Sequence, residues 1–505
     1  MVASLDRRLW WWKRFLRRVL LLGNPGAKRL EGDLLFWSDS SVKEKPASPS
    51  RIDPYPLTPY PPAVDRRGFL RQSLALAGGC AVGLQAAAAA QEKELFKPIG
   101  VGRGIHVGRV AWVHDPEVTD WKGPGDGHWW EGNRVKQERV DAMMAQAVCE
   151  LTGESGVAGA WAKLLRYLNQ SRGKGDVGYK AGERVAIKPN WVGMIFREGH
   201  VNVETCTFVR RHDYMNTSPH MILALLRQLA SVGVSPANIT VCDTLACLVN
   251  EFHDPLHQAF PEVRFEDYAG KLGRIKAKPS TEPLHWSSRP QGKGQDYLPA
   301  CFADADYLIN FASLKAHTAG GVTLCAKNHY GSLVRWPVQE GYYDIHPNCF
   351  SKENGTYRPL VDLMGHAHFG GKTVLYLVDG LFSGAHPRDS APVRMKQPPF
   401  NGRWPCSLLA SQDPVAIDSV GFDFLAAEWP EFARKGVDDY LHEAALADNP
   451  PSGTFYDPNH AAATKRLPSL GAHEYWNNPR EKKYSRNLGT GEGIELVSVE
   501  LGSGA

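Results

Sequence analysis

Short apolar runs of β-forming residues alternate with longer stretches of helical periodicity through the body of this 505-residue chain. That alternation narrows the fold more than any other feature. The runs are Val110–Val113, Val185–Ile187, Ile239–Cys242, Tyr307–Phe311, Thr373–Val378, Leu408–Ser411 and Gly493–Val499. Between them the spacing predicts helices over Asn133–Leu151, Gly159–Asn169, Pro219 to Gly233, His253–Phe260, Leu360–His368 and Asp413–Glu428. Strands separated by helices pair in parallel through crossovers rather than as hairpins. The expectation is an α/β fold: a mostly parallel or mixed open sheet flanked by helices, in one large domain with loop insertions. Local signals agree. Gly153 stops the first helix, Ser218-Pro219 opens the third, and Asp413-Pro414 opens the last. Met143 and Met144 lie on an apolar helix face and read as core rather than as ligands.

Chemistry-bearing residues collect where the strands run out. Pro189 denies the ladder a donor and forces Lys188 out of helical geometry, so the second run stops there with Lys188 and Asn190 at its end. Asp243 ends the third run and Asp379 the fifth. The densest stretch is 304–334, where Tyr307–Phe311 leads into Lys315-Ala316-His317, then Thr318, Gly320, Gly321 and Thr323, then Lys327-Asn328-His329-Tyr330-Gly331. Ligands of open α/β sheets bind outside the carboxyl ends of the strands. Lys188, Asn190, Asp243, Lys315, His317, Lys327, Asn328, Asp379 and Asp413 are therefore expected on one rim.

Three lysines among hydroxyl and amide donors suit an anion, a carboxylate or a phosphate. Lys188, Asn190, Thr323, Asn328 and Asp413 are the candidate ligand-binding residues. Lys315, His317 and Lys327 are the candidate catalytic ones, since a lysine crowded by like charge can act as a base or as an imine-forming nucleophile. A second reading is a divalent metal held by Asp243, Asp379 and His386, with His317 and His329 as further N-donors of the type that suits iron, zinc or manganese. Within this set no HExxH and no i, i+4 histidine pair supports it. The one HxH, His366-Ala367-His368, falls in a predicted helix, where i and i+2 do not share a face. The glycines at 100, 102, 104 and 108 precede a strand, whereas a phosphate loop follows one.

Net charge is +4, with part of the excess in the first 30 residues, so the body is near neutral and lacks the concentrated basic face of a nucleic-acid binder. Nine cysteines contain no CxxC pair, which excludes a zinc ribbon and leaves no iron–sulfur cluster motif in this chain. Buried free thiols are the simpler reading, with pairing open for the eight that follow Cys80. Residues 1–62 form a basic, then proline-rich extension. Its first 22 residues read either as a membrane-surface segment or as upstream sequence of little structural meaning.

Two resemblances add to this. Asp65-Arg66-Arg67-Gly68-Phe69-Leu70-Arg71, a weak apolar stretch and Ala88-Ala89-Ala90 resemble a twin-arginine signal over residues 63–90, which implies export through the twin-arginine translocase, to the periplasm or otherwise out of the cytoplasm. The mature domain is then 91–505. Lys188-Pro189-Asn190, the block from Lys315 to Gly331, Val378-Asp379-Gly380 and Ser411–Asp418 resemble the domain of unknown function 362 family over a core of about 182–428. Some members carry ferredoxin-like modules, so the resemblance implies a redox partner. It does not name a reaction. Three expectations follow: an exported enzyme acting on a small anion, a periplasmic binding or accessory protein that holds an anionic cofactor for a redox partner, or an envelope-associated structural protein.

Overall fold

The expected apolar runs become strands of one nine-stranded sheet in the computed structural model, which describes residues 97–195, 199–289, 296–317, 321–335, 353–386, 389–432, 436–460 and 465–502. The twin-arginine segment, the N-terminal extension, Thr318, Gly320, His346 and Cys349 lie outside the described residues. The strands are β1 (Arg109–His114), β2 (Val185–Pro189), β3 (Ile239–Cys242), β4 (Arg264–Asp267), β5 (Ile275–Lys276), β6 (Tyr307–Ser313), β7 (Thr373–Gly380), β8 (Ser407–Ser411) and β9 (Glu495–Glu500). Two of them, β4 and β5, carry too much charge to read as apolar runs.

The spatial order is β9-β1-β8-β7-β6-β2-β3-β4-β5. Every neighbouring pair is parallel except the two that β8 makes. The connection from β7 to β8 contains no helix among its described residues, and the chain returns beside β7 in the opposite sense rather than crossing over.

Nine helices are present among the described residues: α1 (Gln137–Thr152), α2 (Val157–Ser171), α3 (Pro219–Ser231), α4 (Asn250–Ala259), α5 (Ala300–Ala303), α6 (Cys325–Asn328), α7 (Pro359–Gly365), α8 (Pro414–Glu428) and α9 (Asp439–Ala445). Side chains alternate across the strands and build two cores. On one face Ala111, Val113, Ile187, Val241, Ile309 and Leu377 pack with α1–α4. On the other Val110, Trp112, Ala186, Leu308, Val378 and Leu409 pack with α7–α9. This is the α/β sheet with helices on both faces that the alternation predicts. Met143 and Met144 are fully buried.

Local signals act as read. Gly153 caps α1 in the left-handed conformation, and Ser218 and Asp413 cap α3 and α8 through their side chains. Helix boundaries shift by a few residues, with α1 starting at Gln137 rather than Asn133 and α4 at Asn250 rather than His253. α7 ends at Gly365, so His366 and His368 lie beyond the helix, with ring centroids 5.7 Å apart. No helix among the described residues is long and apolar enough to cross a membrane.

Candidate functional site

The carboxyl ends of β2, β3, β6 and β7 are neighbours, and their exits bring Lys188, Asp243, Lys315 and Asp379 to one rim. Lys188 is fully buried, and its ammonium donates to Asp243 Oδ2 at 2.9 Å, to Asn328 Oδ1 at 3.2 Å and to the Pro189 carbonyl. Three donors thus meet three acceptors. Asp243 also accepts from the Trp191 and Leu245 N–H groups. Gly331 closes over this pair: a Cβ there would lie 3.0 Å from Lys188 Nζ and 3.1 Å from Asp243 Oδ1.

Asn328 is committed in the same way. Its amide donates to the Lys188 carbonyl and to Asn310 Oδ1, and its oxygen accepts from Lys188 and from Asn190 Nδ2. α6, which carries Asn328, is tied down at its start by Asp418, whose oxygens accept from the Cys325 and Ala326 N–H groups at 2.7 and 3.0 Å. Thr323 donates both its hydroxyl and its N–H to the Lys315 carbonyl. Lys188, Asn328 and Thr323 therefore build the frame of the rim, with their own donors spent inside it. Asn190 differs: its buried Oδ1 has no hydrogen-bond partner.

Lys315 sits just beyond β6, fully buried, with its ammonium donating to the Met215 carbonyl. Burial pushes it down to about 7. Asp379 and Asp243 oppose that shift, and the positive charges of Lys327 and Lys188 add to it. Asp379 faces the start of α3: it accepts from the Ser218 N–H at 2.7 Å and from the Leu381 N–H at 2.9 Å. Burial pushes its carboxyl up to about 6, against the pull of those two N–H groups and of Lys315. Lys327, on α6, is partly exposed. An amine with a pKa near 7 beside a carboxyl near 6 can hold or release a proton at neutral pH, and the amine can meet an anion when charged.

Other expected residues fall elsewhere. His317 and His386 are brought together, with ring centroids 5.5 Å apart. Asp243 and Asp379 have oxygens engaged by backbone N–H groups, and their set with His386 does not converge. Among the described residues, the one group of three ligand-type side chains with atoms within 4.8 Å of one another is Cys242, Glu266 and Cys301. His329 is buried, stacked on Phe369 and bonded to Asn310, and burial pushes it down to about 3.

Asp413 corrects the expectation of a single rim. Because β8 runs against its neighbours, its end and Asp413 emerge at the opposite edge of the sheet. There Asp413 is fully buried and accepts from the N–H groups of Arg103, Val415, Ala416 and Ala472. Its carboxylate is a structural hub, with no lone pair directed at the lysine rim.

Sequence reasoning missed Asn310 and Thr217. Asn310 is an amide in the middle of an apolar strand, and that misplaced polarity was a readable sign of a buried network. Thr217 accepts from the Asn190 N–H and donates to the Phe311 carbonyl, and it had no comparable sign.

Residues 185–423 match the family model of DUF362, a domain of unknown function. The DUF362 match takes in β2 to β8 and every lysine and aspartate of the rim. It begins at the strand that carries Lys188 and ends within α8, so it supports the family read from the four motifs. No curated protein matches the chain.

Proposed function

We propose that this protein binds a small anion, a carboxylate or a phosphate, at the carboxyl rim of β2, β3, β6 and β7. Lys315 and Lys327 are the binding cations, and Lys315 doubles as the proton-transfer group. The observation that carries this reading is Lys315 itself: an amine buried at a strand end, held near neutrality, beside a lysine and a carboxylate. Lys188 is already matched by Asp243, so Lys315 and Lys327 are the amines left to meet the ligand in this reading. The buried Asn190 Oδ1 favours a ligand that also carries a hydroxyl or an amine, since an acceptor needs a donor.

Binding through a charged Lys315 is linked to protons: affinity for the anion falls by up to tenfold per pH unit above about 7. The test is thermal denaturation and calorimetry with inorganic phosphate and with a set of 2-hydroxycarboxylates, from pH 6 to 9. Stabilisation should grow with ligand concentration as mass action requires. It should weaken toward pH 9 and disappear in Lys315→Met and Lys327→Ala. If both variants respond like the parent, the rim is not an anion site.

Export rests on Arg66-Arg67 and the stretch behind them. On that reading the protein works in the periplasm as an enzyme on its anion or as the holder of an anionic cofactor for a redox partner. Turnover lost in Lys315→Met while the fold persists selects the enzyme. Binding without turnover selects the holder.

A further inference from the structure

A second cluster lies away from the lysine rim, on the sheet face lined by β3 and β4. Cys242 closes β3, Glu266 sits opposite it in the parallel register with β4, and Cys301 comes from α5. Their sulfur and oxygen atoms all lie within 4.8 Å of one another. Cys242 is fully buried and Glu266 nearly so. A cleft reaches Glu266 and Cys301 from solvent, and its lining includes four cations, Arg184, Arg264, Lys276 and Lys278, beside one further acid, Asp304.

We propose that Cys242, Glu266 and Cys301 bind one divalent transition-metal ion of the zinc class, with a fourth position open to the cleft. Metal–sulfur bonds of about 2.3 Å and metal–oxygen bonds of about 2.0–2.2 Å set tetrahedral ligand atoms roughly 3.5–3.8 Å apart. From within 4.8 Å the three atoms therefore need to close in by at most about 1.3 Å, within reach of side-chain rotation. Two of the three ligands stand on paired strands, so their spacing is set by the ladder rather than by a loop. Two thiolates select zinc, cobalt or iron over magnesium or calcium, which prefer oxygen.

The charges also fit. Two thiolates and a carboxylate carry −3 against +2 on the ion. The remaining −1 is met by Arg264, whose Nη2 lies 2.9 Å from Glu266 Oε1 and leaves Oε2 for the metal. Three protein ligands and an open position make the arrangement of a site that takes water or an anion, and the cationic cleft supplies the anion's path. An ion there also braces the end of β3, one residue before Asp243.

The experiment uses the mature chain purified with a non-thiol reductant, incubated with Zn(II) and, separately, with Co(II), then desalted. The expected result is one equivalent of retained zinc and thiolate-to-cobalt charge-transfer absorption. Both should be lost in Cys242→Ser and Cys301→Ser and kept in Cys206→Ser, which alters a thiol pair elsewhere. Zinc should also shield Cys301 of the parent from an alkylating reagent, a readout that stands if Cys242→Ser does not fold. No retained metal, equal retention in Cys301→Ser, undiminished alkylation, or a Cys242–Cys301 disulfide in the exported protein each overturns the proposal.

Discussion

Replacing Lys315 by methionine probes the rim most directly, because methionine keeps an unbranched side chain one atom shorter and lacks the amine. In the folded chain Lys315 drops from 10.5 to about 7. Between those values the unfolded lysine still holds a proton that the folded one has released. The unfolded state binds more protons there, so stability rises with pH, by about 1.4 kcal/mol per unit for one proton. The sign follows: burial of this lysine costs stability in full below pH 7, and the cost is relieved as pH climbs toward 10.5. From pH 8.0 to 9.5 the rise due to Lys315 is about 2 kcal/mol. Asp379, pushed up to about 6, is ionised across that window and contributes no slope. Lys372 and Lys482, both lowered to about 8, titrate there too. They are common to parent and variant, so the difference between the two isolates Lys315. The assay is urea unfolding at half-unit steps of pH in buffers free of phosphate and carboxylate. The parent should gain about 2 kcal/mol more than Lys315→Met across the window. Equal gains in the two proteins would refute a buried, near-neutral Lys315.

Three further outcomes are expected. Asp413→Ala strands the buried N–H groups of Arg103, Val415, Ala416 and Ala472, costing about 3–5 kcal/mol in denaturant unfolding, while phosphate affinity of the folded fraction stays at the parental value; a lost affinity would return Asp413 to the site. Gly331→Ala pushes a methyl against the Lys188–Asp243 pair and should cost about 1–3 kcal/mol; an unchanged unfolding midpoint would mean that the loop yields freely. Arg358→Leu leaves buried Asp439 without its cation at 2.8 Å and should cost about 3–5 kcal/mol, most of it recovered in Arg358→Leu/Asp439→Leu; a thermodynamic cycle showing no coupling would sink this account.

The strands and their chemistry at the carboxyl ends were legible because both are local. An apolar run states that a segment is buried. Pro189 states where a strand must stop, and Asp379 follows its run without a gap. Ser218-Pro219 and Asp413-Pro414 state where helices begin, since the cap and the first turn are neighbours in the chain. β4 and β5 were not legible, because Glu266 and Asp267 look like exposed charge until the paired strands bury them.

Sequence by itself determined the alternation of elements, the α/β class, and the placing of Lys188, Asp243, Lys315 and Asp379 at strand ends. Tertiary structure decided strand direction and who is spent on whom. The reversed β8 sends Asp413 to the far edge, a consequence of strand direction that no residue near Asp413 encodes. Lys188 and Asn328 look like ligand donors in isolation, yet hydrogen bonds to partners about 140 residues away in the chain saturate them. Cys242, Glu266 and Cys301 share no motif, because a parallel register and a short helix assemble them across three separate segments. Hydrogen-bond saturation and convergence are properties of positions in space, and spacing along the chain carries neither.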